Sequence, residues 1–89
     1  MYFTYIIKSE SDGSFYIGQC KNLHERIQRH NNSHSKSTKG QVPWQLVYYE
    51  SYKTRVEAVK RELAIKKQKS RIFIEELILE FPVNKIEGL

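Results

Sequence analysis

Residues 2–8, YFTYIIK, and 14–18, SFYIG, are aromatic and β-branched, and the intervening ESDGS contains Asp12-Gly13. Runs of this kind favour extended backbone, and Asp-Gly supplies the positive φ that a tight antiparallel turn needs. The chain therefore opens with a β-hairpin, and whatever follows must cover the faces of those strands.

Downstream signals alternate between helix starts and breakers. Asn22 with Glu25 three residues later predicts a capping box and a helix to about residue 31. Residues 31–43, NNSHSKSTKGQVP, are polar and carry Gly40 and Pro43, which predicts a loop. WQLVYYES then returns to strand character, with Tyr48, Tyr49 and Tyr52 open to either core or surface. Thr54 and Glu57 form a second capping box for a helix through about Gln68, and Ser70 caps a third that carries Ile72, Phe73, Leu77 and Ile78 and ends before Pro82. The expected order is β-β-α-β-α-α in one α+β domain spanning 1–81, with 82–89 as a C-terminal tail.

With 89 residues there is room for one modest core, which excludes a large multi-site enzyme. Fifteen Lys and Arg against ten Asp and Glu leave a formal charge of +5, favouring a polyanionic partner such as nucleic acid. The single cysteine, Cys20, excludes an intramolecular disulfide and fits a reducing, cytoplasmic setting. No apolar run approaches the ~20 residues of a membrane span, and the first residues lack the pattern of a signal peptide. The expectation is a monomer with no membrane partner.

Two helices place polar groups among apolar ones. At about 100° per residue, with Leu23 at zero, Ile27 falls near +40°, His30 near −20° and Arg26 near −60° (all approximate), so Arg26 and His30 border the apolar side. On the second long helix Glu62 falls inside the half-wheel formed by Val56, Ala58, Val59, Leu63 and Ile65. A carboxylate there needs a cation, a metal or a wet cleft. An Arg26–Glu62 ion pair joining the helices is one solution. A phosphodiester cleft is the other: arginine offers phosphate a fork of donors, one carboxylate suffices for Mg²⁺, and tyrosine or histidine can take a proton from water. Cys20, His24, His30 and His34 also have the spacing C-x3-H-x5-H-x3-H, which raises a zinc site, although His24 projects away from His30 on the helix.

These residues resemble the GIY-YIG nuclease superfamily, in particular its small stand-alone, UPF0213-like members. Tyr16-Ile17-Gly18 is the second half of the signature, and Phe3-Thr4-Tyr5 stands for the first, only Tyr5 matching. Arg26, His30 and Glu62 follow in the family's order, and KSTKGQVPWQLVYYES is similar to the loop and third strand of the small members, with Lys39, Pro43, Leu46, Val47, Tyr48 and Glu50 in place. Gln19 stands where excision-repair relatives carry a lysine. The resemblance covers roughly residues 2–78 and implies a three-stranded antiparallel sheet flanked by helices and a metal-dependent DNA endonuclease of repair or processing.

The roles it implies are Tyr16 as general base, Tyr5 positioning the water or scissile phosphate, Arg26 stabilising transition-state charge, His30 assisting, and Glu62 holding Mg²⁺ or Mn²⁺. Phenols are ordinarily protonated at neutral pH, so a tyrosine base needs help from the metal or Arg26. Gly18 would let the nucleic-acid backbone approach. Lys60, Lys66, Lys67, Lys69 and Arg71, with Lys36 and Lys39 in the loop, are the expected phosphate contacts. A non-catalytic nucleic-acid-binding or interaction module with the same fold is the rival reading, and RNA as substrate stays open.

Overall fold

The computed structural model describes residues 1–32 and 38–87. Three strands, β1 (Tyr2–Ser9), β2 (Phe15–Cys20) and β3 (Trp44–Tyr52), form an antiparallel sheet in the order β2-β1-β3. The helices are α1 (Leu23–Asn31), α2 (Arg55–Gln68), α3 (Arg71–Glu80) and a short α4 (Val83–Glu87), and a single 3-10 turn covers Lys39–Gln41.

Local chemistry fixes the element ends where the sequence places them. Gly13 takes a φ of 76° in the hairpin turn, and the Asp12 carboxylate accepts hydrogen bonds from the Ser14 amide and hydroxyl. Asn22 accepts from the Glu25 amide at 3.0 Å, Ser70 accepts from the Phe73 amide at 3.1 Å, and Thr54 with Glu57 forms the full reciprocal box. The expected tail differs from what is observed: Val83–Glu87 is helical, and Ile86 packs against the core. Pro82 ends α3 but leaves a new helical turn free to start after it.

Side chains alternate across a strand, so the sheet divides the core in two. Tyr5, Ile7, Cys20, Trp44 and Leu46 form one cluster with Leu23 of α1; Ile6, Ile17 and Tyr48 form the other with Ile65 of α2 and the partly buried apolar residues of α3. Ile6 pairs with Tyr48 and Ile7 with Leu46, leaving Val47 as the extra residue of a β-bulge. That bulge resets the alternation, which is why Trp44, Leu46 and Tyr49 share the α1 side while Tyr48 lies on the α2 side.

The placement of α2 corrects two expectations. Ala58 and Ile65 are buried, but Val56 and Leu63 are exposed, so the contact face is the narrower stripe of Ala58, Glu62 and Ile65 and not the whole apolar half-wheel. The Arg26–Glu62 ion pair does not form among the described residues: Glu62 pairs with Lys66 of its own helix instead. Thr4, fully buried, donates to the Ala58 carbonyl at 2.8 Å and ties α2 to the sheet one turn before Glu62.

Candidate active site

On the α1 side of the sheet, four of the sequence-predicted residues converge around a fifth. Tyr5 and Gly18 are direct cross-strand partners, and the Tyr5 phenol fills the space above Gly18: a Cβ there would lie 2.5 Å from the Tyr5 hydroxyl. Gly18 is itself buried, so its missing side chain makes room for Tyr5 and not for a nucleic-acid backbone. His30 reaches the same phenol from the end of α1, with Nε2 2.9 Å from the Tyr5 hydroxyl and Nδ1 2.8 Å from the Thr38 hydroxyl. Trp44 Nε1 donates to the Thr38 carbonyl at 2.9 Å and closes the back of the cluster.

Tyr16 forms the outer wall. It is half-buried, its ring centroid lies 5.0 Å from that of His30, 6.4 Å from Trp44 and 6.5 Å from Tyr5, and its hydroxyl makes no hydrogen bond among the described residues. Arg26, half-buried, places its guanidinium beside Tyr5. The result is a graded site, with a dry Tyr5–His30 pair behind and the Tyr16 and Arg26 side chains toward solvent.

The electrostatics follow from that gradient. Burial pushes the Tyr5 phenol well above its ordinary range, Tyr16 adds to the rise and Arg26 opposes it, so Tyr5 keeps its proton. Burial likewise lowers the His30 pKa, and the positive charges of Arg26 and Arg29 lower it further, leaving a neutral imidazole at pH 7. Cys20 is buried with its thiol pushed up, again chiefly by burial.

Glu62 stands apart from this group. It projects from α2, its side chain is 16% exposed, and it pairs with Lys66 at 2.5 Å. A single carboxylate with water in the remaining positions suits Mg²⁺ or Mn²⁺, and Lys66, 45% exposed, is free to swing away. Among the described residues no three His, Cys, Asp or Glu side chains gather as a multi-ligand cage would require. The zinc reading loses its ligands as well: His30 is committed to Tyr5 and Thr38, Cys20 is buried, His24 is exposed, and His34 lies outside the described residues.

The basic residues divide. Lys39, Lys60, Lys67 and Lys69 are exposed, and Lys36 lies outside the described residues. Arg71 is a structural clasp: it stacks 4.6 Å from the Phe15 ring centroid and donates to the Gly13 carbonyl at 3.0 Å, joining α3 to the hairpin turn.

A second polar cluster was not legible in the sequence. Glu50 accepts from the Tyr48 and Tyr52 hydroxyls, and Arg61 Nε approaches its two oxygens at 2.9 and 3.2 Å. Burial works against the Glu50 charge, but the hydrogen bonds from Tyr48, Tyr52 and Arg61 outweigh it and hold the carboxyl below its ordinary range. Burial first and then the Glu50 contact, opposed by Arg61, push Tyr48 and Tyr52 up to about 12.

Comparison with known proteins places relatives beside this geometry. A family model described as the GIY-YIG catalytic domain matches residues 1–75. A UPF0213 protein of Staphylococcus aureus strain Mu3 is 44% identical over 79 residues, covering 84% of this chain and 95% of its own, and that of strain N315 matches equally. The solution NMR structure of a UPF0213 protein from Bacillus halodurans aligns over 98% of this chain and 94% of its own, with a TM-score of 0.58 and 29% identity.

Proposed function

The chain belongs to the GIY-YIG catalytic domain family, and from that premise we propose that it is a divalent-metal-dependent endonuclease that hydrolyses phosphodiester bonds in DNA during repair or processing. The observation that carries the reading is the convergence of Tyr16 and Arg26 at the wet edge of a buried Tyr5–His30 pair. A phenol and a guanidinium that both lie against the Tyr5 ring supply what a displacement at phosphorus uses: a phenolate to take a proton and a guanidinium to balance charge.

In this reading Tyr16 first gives its own proton to solvent and, as the phenolate, takes the proton of the attacking water, its hydroxyl making no hydrogen bond among the described residues. Arg26 offers forked donors to the phosphoryl oxygens as negative charge builds. Tyr5 and His30 are positioning residues: their mutual hydrogen bond, closed off by Thr38, holds the ring edge against which Tyr16 rests. Glu62 would hold the Mg²⁺ or Mn²⁺, whose chemistry is to polarise the phosphate and neutralise the leaving oxygen. Lys66 holds the Glu62 side chain in place until the cation takes over.

A nicking assay with supercoiled and branched DNA in Mg²⁺ or Mn²⁺, run beside Glu62→Ala and Tyr16→Phe, tests it. Cleavage by the parent that both variants lose supports the endonuclease. The Lys66–Glu62 pair favours a second reading, binding without turnover, and DNA binding that survives Glu62→Ala with no cleavage by the parent would select it.

A further inference from the structure

At the end of β2 the sheet edge opens into a polar groove of about 420 Å³, lined by Cys20, Lys21, Asn22, Glu25, Arg26, Arg29 and Arg55. Four cations face one carboxylate there, concentrating an excess of three positive charges in a protein whose whole formal charge is +5. Among the described residues none of the four makes an ion pair. Like charges confined to a concave wall repel one another and raise the local potential, an arrangement that an anion relieves.

The walls are pre-set. Asn22, Glu25, Arg26 and Arg29 recur at the three- and four-residue intervals that bring side chains onto one stripe of α1. Arg55 comes from the first residue of α2, with its guanidinium 4.9 Å over the Tyr2 ring and its Nη1 donating to Gln19 at 3.2 Å. Stacking and that hydrogen bond hold the side chain across the strand end, lowering the entropy cost of using it. The cations come from the β2–α1 turn, from α1 and from the start of α2, a spread that suits a chain of regularly spaced charges better than a single small anion.

Arg26 is common to this groove and to the site around Tyr5, so the two are continuous. We propose that Lys21, Arg29 and Arg55 bind backbone phosphates next to the one held by Arg26, so that the nucleic-acid strand leaves the site across the starts of α1 and α2. This rests on the phosphodiester reading above, and it directs the strand away from Lys60 and Lys67 on α2.

The test is binding of a short fluorescent single-stranded DNA by the whole protein in EDTA, read by anisotropy over a salt series. Parent, Arg29→Ala, Arg55→Ala and a Lys60→Ala, Lys67→Ala double variant are compared, each with its thermal midpoint. The expected result is a roughly three- to tenfold loss at low salt for each arginine variant, with the slope of log K against log salt falling by about 0.7, while the lysine variant keeps the parent slope. Arg55→Lys should regain part of the slope, which a purely structural effect would not give.

Parent slopes in both arginine variants, loss confined to the lysine variant, or no binding by the parent at the lowest salt would each overturn the proposal. Cleavage is scored separately in Mg²⁺. Loss of slope without any cleavage by the parent would leave the groove standing and remove the endonuclease, whereas cleavage with unchanged slopes would do the reverse.

Discussion

The Tyr5 hydroxyl lies 2.9 Å from His30 Nε2, and the two side chains are 1% and 2% exposed. Each is the polar partner that makes burial of the other tolerable, and each stays neutral for the same reason, the cost of charge in a dry site.

The first prediction concerns pH. The folded protein holds His30 below the ordinary imidazole value, through burial first and then Arg26 and Arg29, while the unfolded chain protonates near ~6.5. Below that point the unfolded state binds more protons, so stability must fall as pH drops through it. Asp12 and Glu50, both held low, lose their contributions only in the carboxylate range, at or below about 4.5. Urea midpoints should therefore decline between pH 7 and 5 in the parent and stay level over that window in His30→Gln. A level parent curve would mean that His30 takes up its proton in the folded state as readily as in the unfolded one.

Gly18→Ala should be costly despite its size. The new methyl would fall 2.5 Å from the Tyr5 hydroxyl and 2.7 Å from the ring carbon bearing it, at a place where Tyr5 is locked by His30. Forcing the ring aside should cost about 1–3 kcal/mol, with the hydrogen bond to His30 weakened as well. Urea unfolding gives the first quantity and the His30 imidazole NMR signals report the second; a variant as stable as the parent would show that Tyr5 can relocate freely.

What the sequence discloses is what local chemistry decides. The Asp12-Gly13 turn and the caps at Asn22, Thr54 and Ser70 depend on residues within four positions of one another, and each occurs where the letters indicate. The grouping of Tyr5, Tyr16 and Gly18 with Arg26 and His30 was reachable through the family resemblance, helix periodicity alone giving only that Arg26 and His30 border the apolar side of α1. The half-wheel on α2 is wider than the real contact face, because Val56 and Leu63 face solvent, but Glu62 lies between Ala58 and Ile65 on the stripe that does meet the sheet and is only 16% exposed. The Glu50 cluster depends on the bulge at Val47, a register shift that no local pattern encodes. Arg55 escaped notice in the same way, since its neighbours Tyr2 and Gln19 come from two different strands.

Glu50→Gln tests that hidden cluster. The variant keeps an acceptor for one phenol but loses the charge that Arg61 faces, and with both partners partly solvent-exposed the cost should be about 1 kcal/mol. The sharper readout is the phenols themselves. Tyr48 and Tyr52 titrate near 12 because of burial and then the Glu50 contact, so the second cause vanishes in the variant and both should ionise at lower pH. Phenolate absorbance in an alkaline titration would show the shift, and an unchanged curve would assign the whole elevation to burial.

The final prediction separates a metal ligand from a surface ion pair. Glu62 touches Lys66 across one helical turn, and because Lys66 is 45% exposed, Glu62→Gln should change stability by no more than about 1 kcal/mol. If Glu62 serves as the cation's protein ligand, substoichiometric Mn²⁺ should broaden amide signals most strongly in the Arg61–Lys66 turn of α2, and the broadening should disappear in Glu62→Gln while the fold persists. The Glu50 carboxylate provides the internal control, since its oxygens are already occupied by Tyr48, Tyr52 and Arg61 and should attract the ion poorly. Broadening centred on β3 instead, or surviving in Glu62→Gln, would transfer the cation away from Glu62 and leave the Lys66 pair as a stabilising contact of α2 alone.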